Sequence, residues 1–365
     1  MIRVLTIASL LVCSLQLAWA DDEWALEPFV RPPNSNPAIM PNQASTFFCP
    51  MRQAKVHWEA LHTFNPAAVV RNGKIYVLYR AEDDTGSMMI GGHTSRLGLA
   101  ESSDGVHFKR SKSPVLFPAD DDQTAREWEG GCEDPRVVES EDGTYVVTYT
   151  QWNRKKTDAA IATSTDLRKW TKHGPVFSAA KYDELSYKSA GIVCRLSGGR
   201  LIATKIKGRY WMYWGEGEVH LATSADLIHW EPVEDSDGKP IAVLGKRPGH
   251  FDSSFPEVGP PPILTDAGIV VIYNGKNAEQ DGDPELGPNA YAAGQALFAA
   301  DDPARLLARM DKPFFKPELP FEKTGQYAAG TTFVEGLVYF KNKWFLYYGC
   351  ADSAVGVAVG SEGRK

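Results

Sequence analysis

The chain has 365 residues, 43% of them hydrophobic and 11% aromatic, with a net charge of −7. Its 46 Asp and Glu against 39 Lys and Arg argue against a nucleic-acid or anionic-membrane surface. After the first 20 residues no stretch is apolar for anything near the roughly 18 residues of a spanning helix. Residues 1–20 hold one basic residue, Arg3, an apolar run from Val4 to Leu11, and Ala18-Trp19-Ala20 ahead of Asp21-Asp22-Glu23. That is the pattern of an export signal with an A-x-A cleavage site. The expectation is a periplasmic or secreted protein whose residues 21–365 form a single domain. Cys13 leaves with the signal, and Cys49, Cys132, Cys194 and Cys350 allow up to two disulfides in an oxidising compartment, in any of three connectivities.

Beyond the signal, Ser35-Asn36-Pro37-Ala38-Ile39-Met40 reads as a strand without a partner nearby in the chain. Then a strand-like core recurs five times, in residues 74–80, 144–150, 209–215, 268–274 and 343–349, about 55 to 75 residues apart. A polar turn and an earlier short strand precede each core, in residues 65–69, 133–137, 189–193, 260–264 and 331–334. A third strand with an Asp turn follows, ending at Phe108, Trp170, Trp230 and, more loosely, Leu307. A closing strand carries Pro114, Pro175, Pro240 or Pro313. The fifth unit stops at Val355-Gly356-Val357-Ala358-Val359 with no closing strand, which the orphan near the amino terminus can supply. Five four-stranded units completed in this way predict an all-β fold, a five-bladed β-propeller closed by its own N-terminal strand.

In a propeller the first strands of the units run along a central channel, so Asn65, Asp134, Ser189, Glu257 and Thr331 are expected to meet at one face. Asp134 sits in Gly131-Cys132-Glu133-Asp134-Pro135-Arg136, where Pro135 marks a strand entry because it lacks an N–H and fixes φ. The same register sends Glu216 and Glu257 to this face from the third and fourth units. Glycosidic bond cleavage uses two such carboxyls, one protonated to help the leaving oxygen and one charged to activate water or attack. Arg80 and Asp83 after the first inner strand, and Asp352 after the fifth, suit bidentate hydrogen bonding to sugar hydroxyls or salt bridges between units. The sequence has no His-Glu-x-x-His, acidic calcium loop, phosphate-binding glycine loop, dinucleotide fingerprint or Gly-x-Ser-x-Gly, so neither a metal nor a cofactor is expected.

Phe64-Asn65-Pro66-Ala67-Ala68, Tyr79-Arg80-Ala81-Glu82-Asp83, Arg96-Leu97-Gly98, Glu133-Asp134-Pro135-Arg136, the repeated S-x-D-L-x-x-W, Gly259-Pro260-Pro261-Pro262 and Tyr347-Tyr348-Gly349-Cys350-Ala351-Asp352 follow one another in a fixed order. From about residue 30 onward the chain resembles glycoside hydrolase family 130, which holds mannoside phosphorylases and a smaller set of β-mannosidases on five-bladed propellers. The resemblance implies that Asp134 is the general acid, acting in the phosphorylases through a sugar hydroxyl. It also implies that Asn65, Arg80, Asp83, Arg136, Lys188 and Asp352 surround the mannose.

Two departures bear on the reaction. Where family phosphorylases carry an Arg after the third inner strand, this chain reads Met212-Tyr213-Trp214-Gly215-Glu216. Where they carry Tyr-His-Gly after the fourth, it reads Tyr273-Asn274-Gly275. With those cations replaced, and with acids at Glu216 and Glu257, the expectation is an exported inverting β-mannosidase acting on β-1,2-linked mannosides. The alternatives are a β-mannoside phosphorylase releasing mannose 1-phosphate and a carbohydrate-binding propeller without catalysis.

Overall fold

A computed structural model describes residues 23–26 and 28–360, so the export signal expected in residues 1–20 lies outside the described residues. The strands fall into successive four-stranded antiparallel units. Unit one is His62–Arg71, Lys74–Glu82, Ser95–Ser102 and Lys109–Arg110, and unit two is Gly131–Glu139, Tyr145–Trp152, Thr157–Ser164 and Thr171–Pro175. Unit three is Ala190–Ile192, Arg209–Trp214, Val219–Ser224 and Trp230–Pro232. Unit four is Phe255–Val258, Ile269–Lys276, Tyr291–Ala299 and Asp302–Arg309. Unit five is Thr332–Phe340, Lys343–Cys350, Ala354–Gly360 and, from the other end of the chain, Phe29–Val30.

Local chemistry explains the hairpins. Asn72-Gly73 and Lys341-Asn342 turn with positive φ at both positions, the geometry whose twist matches the flanking strands. In units one, two and three the Ser and Asp of each outer turn close the loop: Asp104, Asp166 and Asp226 each accept two backbone N–H bonds through Oδ1. Apolar faces between units, built from residues such as Val77, Leu99, Val147, Ile161, Met212 and Val271, are buried and form the core.

Each unit touches the next. Ser95 bridges to Gly131, Thr148 donates to the carbonyl of Ala190, Glu216 bridges to Glu257, and Tyr291 bridges to Thr331. Unit five reaches unit one, where Tyr347 Oη donates to the carbonyl of Gly105 at 2.8 Å. No single sheet closes on itself among the described residues.

Three expectations need correction. The strand that completes unit five is Phe29–Val30 rather than residues 35–40, which add the Ile39–Val355 bridge, the Ala38 N–H on the Val355 carbonyl and the Asn36 side chain on Val357. Pro37 has no N–H to give a ladder. The closing strands of units one, three and four, Lys109–Arg110, Trp230–Pro232 and Asp302–Arg309, end before Pro114, Pro240 and Pro313, and only that of unit two carries its proline, Pro175; the prolines at 260–262 split the first strand of unit four into Phe255–Val258 and Ile263–Leu264. Cys49, Cys132, Cys194 and Cys350 are all buried free thiols, so neither of the two disulfides they allow forms among the described residues.

Candidate active site

The first strands of units one, two and five share a device. Their ladders slip by a residue between Phe64 and Pro66, between Glu133 and Arg136, and between Val334 and Gly336. A bulge re-aims the side chain it carries, and these three carry Asn65, Asp134 and Glu335. Asn65 and Asp134, with Ser189 in unit three and Asp352 in unit five, also have positive φ. Gly349 makes room for this arrangement, because a Cβ there would lie 2.4 Å from Asn65 Oδ1.

Asp134 is buried, and its Oδ1 accepts from Asn65 Nδ2 at 2.9 Å and Arg80 Nη1 at 3.3 Å. The Arg80 fork is shared further: Nη2 lies 2.7 Å from Glu82 Oε1 and 2.9 Å from Glu133 Oε1, Nε donates to Ser95, and the guanidinium covers the Phe64 ring. Burial pushes Asp134 up, but Arg80, Lys188 and Arg136 outweigh it and hold the carboxyl below its usual range. Its neighbours go the other way. Burial raises Glu133 against the pull of Arg80, and lifts Asp352 to about 7, with Asp134 adding to the lift.

On the side of units three and four, Lys188 Nζ stands 3.3 Å from Glu257 Oε1 and 3.6 Å from Glu216 Oε1. Ser189 Oγ donates to Glu257 Oε1 at 2.5 Å, and Glu257 Oε2, although buried, has no hydrogen-bond partner among the described residues. Burial, reinforced by Glu216, raises Glu257 above the usual range despite Lys188. Burial works against the Lys188 charge, but Glu257, Glu216 and Asp134 hold its ammonium well above the ordinary value. Glu216 is the most open of the group, its side chain 39% exposed. Tyr291 packs beside this pair with Phe255, Tyr327 and Phe333, giving an aromatic wall of the kind on which flat apolar sugar faces stack.

The structure thus brings together Asn65, Arg80, Asp134, Lys188, Glu216, Glu257 and Asp352. It does not bring Asp83 or Arg136 to the cavity. Asp83 is fully buried, with Oδ2 on Arg96 at 2.8 Å and Oδ1 on Thr85 and the Thr94 N–H, so both oxygens serve the fold. Arg136 is buried and donates to the carbonyls of Asp134, Val258 and Gly259, with Glu335 also on its Nη2, so its fork is engaged by the fold. Asn274 clamps Val334 through both its N–H and its carbonyl. Glu133, which stands in the motif around Asp134, and Tyr291, which the sequence does not single out, join the site, and Glu335 lies behind it on Arg136. Seven carboxyls (Glu82, Glu133, Asp134, Glu216, Glu257, Glu335, Asp352) therefore crowd three cations (Arg80, Arg136, Lys188). Such crowding keeps some acids protonated, which is how acid and base chemistry coexist in one pocket.

An all-β scaffold that gathers buried carboxyls around Arg80 and Lys188 beside aromatic rings fits a glycoside-active enzyme. A family model described as beta-1,4-mannooligosaccharide phosphorylase matches residues 44–364, and the chain belongs to glycoside hydrolase family 130. It is 33% identical over 313 residues to a 1,2-beta-oligomannan phosphorylase of Thermoanaerobacter sp. (strain X514), covering 85% of this chain and 93% of that protein. Among solved structures it resembles one described by the words "The GH130 family of mannoside phosphorylases contains glycoside hydrolases that target beta-1,2 mannosidic linkages in Candida mannan". The identity is 52% and the TM-score 0.91, over 94% of this chain and 98% of that one. A glycosyl hydrolase from Bacteroides ovatus is also 52% identical, with a TM-score of 0.90 over 93% of this chain and 97% of that one.

Proposed function

We propose that this protein is an exported β-mannosidase that cleaves β-1,2-linked mannosides with inversion, on a five-bladed propeller closed by its N-terminal segment. Asp134 delivers the proton to the leaving oxygen, and Asn65, Arg80 and Asp352 hold the mannose. Water between Glu216 and Glu257 attacks from the opposite face. The contact of unit five with unit one supports the closed ring. The observation that carries hydrolysis is the acidic pair on Lys188, with Glu257 Oε2 unpaired and ready to accept a proton from water. A phosphate charge about 5 Å from one carboxylate is repelled by about 3 kcal/mol at an effective dielectric near 20, whereas water meets no such barrier.

Phosphorolysis is the second reading, and the named relatives favour it over hydrolysis. All three curated relatives, at 28% to 33% identity, are mannobiose or oligomannan phosphorylases. Lys188 also supplies one cation to the nucleophile's side. Turnover of β-1,2-mannobiose in phosphate-free buffer, compared with millimolar phosphate, separates the readings. The proposal expects equal rates and free mannose in both. Activity that vanishes without phosphate establishes the phosphorylase, and tight binding with no product in either buffer establishes a lectin-like propeller.

A further inference from the structure

We infer that Arg136 is a strut fixing the separation of Asp134 from Glu257, and that Glu335 pins the strut from the fifth unit. This rests on the reading of those two carboxyls as acid and base. The guanidinium joins their backbones directly: Nη1 donates to the Asp134 carbonyl at 3.0 Å, and Nη2 to the carbonyl of Val258, the residue after Glu257, at 2.7 Å. Nε donates to the next carbonyl, Gly259, at 3.1 Å. One planar fork thus spans units two and four, which nothing in the local sequence of either connects.

The third anchor is Glu335, whose Oε1 lies 2.9 Å from Arg136 Nη2 in a fully buried pair. Neither Glu335 oxygen has a partner with hydrogen-bond geometry, so the contact with the guanidinium is what engages its carboxyl. Glu335 reaches inward because the strand bulges between Val334 and Gly336. That strand is itself held against unit four, where Asn274 bonds Val334 in both directions and the Gly259 Cα leaves no room for a Cβ beside the carbonyls of Ile272 and Val334. The result is a rigid seam behind the cavity. Inversion requires the acid and the base to stay far enough apart, roughly 6.5 to 9.5 Å, to admit water. A misplacement of about 1 Å costs about 10²-fold in rate. A planar guanidinium holding three carbonyls is suited to that task, and a lysine ammonium, with a flexible stem and no fork, is not.

The test is Arg136→Lys, which keeps the charge and loses the fork, with Glu335→Asp as a smaller change that withdraws the carboxyl by one methylene. For each folded variant, checked by circular dichroism and thermal melting, steady-state kinetics on β-1,2-mannobiose separate kcat from KM. Arg136→Lys is expected to lower kcat by about 10²-fold with KM within about threefold, since the mannose contacts stay in place. Glu335→Asp should lower kcat by about tenfold and also leave KM unchanged; it carries the test if Arg136→Lys does not fold. Wild-type kcat in either folded variant, or losses confined to KM or melting temperature, overturn the inference. Asp134→Asn measured alongside tells the two failures apart. If it is fully active, the acid assignment itself is wrong, and if it alone is inactive, only the strut is.

Discussion

Around Asp134, units one, two and five have fixed the polar groups before any ligand arrives. Arg80 divides one fork among Glu82, Glu133 and Asp134, and Asn65 holds Asp134 from the other side. Units three and four are built differently: Lys188 sits loosely between Glu257 and a half-open Glu216, at 3.3 and 3.6 Å, and Glu257 leaves one oxygen free. The difference teaches a division of labour. The rigid half is arranged to orient a sugar and present a proton, and the other half keeps hydrogen-bonding capacity, at Glu257 Oε2 and the part-exposed Glu216, for a small nucleophile. Preorganisation of this kind is where enzymes gain most.

The comparison breaks first at Asp134. Asp134→Asn keeps shape and removes the proton, so kcat should fall by roughly 10² to 10⁴-fold, with mannobiose binding retained in calorimetry. Near-normal turnover would falsify the assignment of the rigid half. In the looser half, Glu257→Gln should cost about 10²-fold and the more open Glu216→Gln about tenfold. Because both act on one water, the double variant should lose less than the product of the two. A fully multiplicative loss would mean that they serve separate steps.

Asp83 sharpens the contrast from outside the cavity. Asp83→Ala leaves Arg96 buried without its carboxylate, which costs about 3 to 5 kcal/mol when one partner of a buried pair is removed. The variant should melt at a clearly lower temperature while kcat per folded molecule is unchanged. A selective loss of kcat with full stability would return Asp83 to the substrate.

The smallest expected effect is in the pH profile. The acid must be protonated and the base ionised, yet Asp134 is held below its usual range and Glu257 above it. The productive state is therefore a minority, and kcat/KM should be bell-shaped, with the acid-side limb set by Asp134 and the alkaline limb by Glu257 as a coupled pair. Lys188 lowers both groups. Lys188→Met should hence move the whole bell to higher pH, and a shift to lower pH contradicts this account of the charges.

Much of this is legible in the sequence. Five strand cores are visible because strands buried on both faces read as short continuous apolar runs. Asp134 and Glu257 stand out beside prolines, but Pro135 lies within Gly131–Glu139 at a bulge and Pro256 within Phe255–Val258, so neither marks the strand entry expected of Pro135. Direction was harder to read. Arg136 and Asp83 have the residue types of sugar binders, but which way a side chain leaves a bulged strand depends on the neighbouring unit. Glu335 was invisible for the same reason: Phe333-Val334-Glu335-Gly336 reads as ordinary strand, and only the following glycine hints at the slip. Phe29–Val30 was overlooked because two residues carry no periodicity.

The central claim is that water, placed by Glu216 and Glu257 opposite Asp134, is the nucleophile. Proton NMR of the first minutes of β-1,2-mannobiose cleavage in millimolar phosphate tests it in one experiment. The account predicts α-mannose as the first anomer from the non-reducing end. Early β-mannose would mean a covalent intermediate, and α-mannose 1-phosphate as the main product would contradict the account in favour of phosphorolysis.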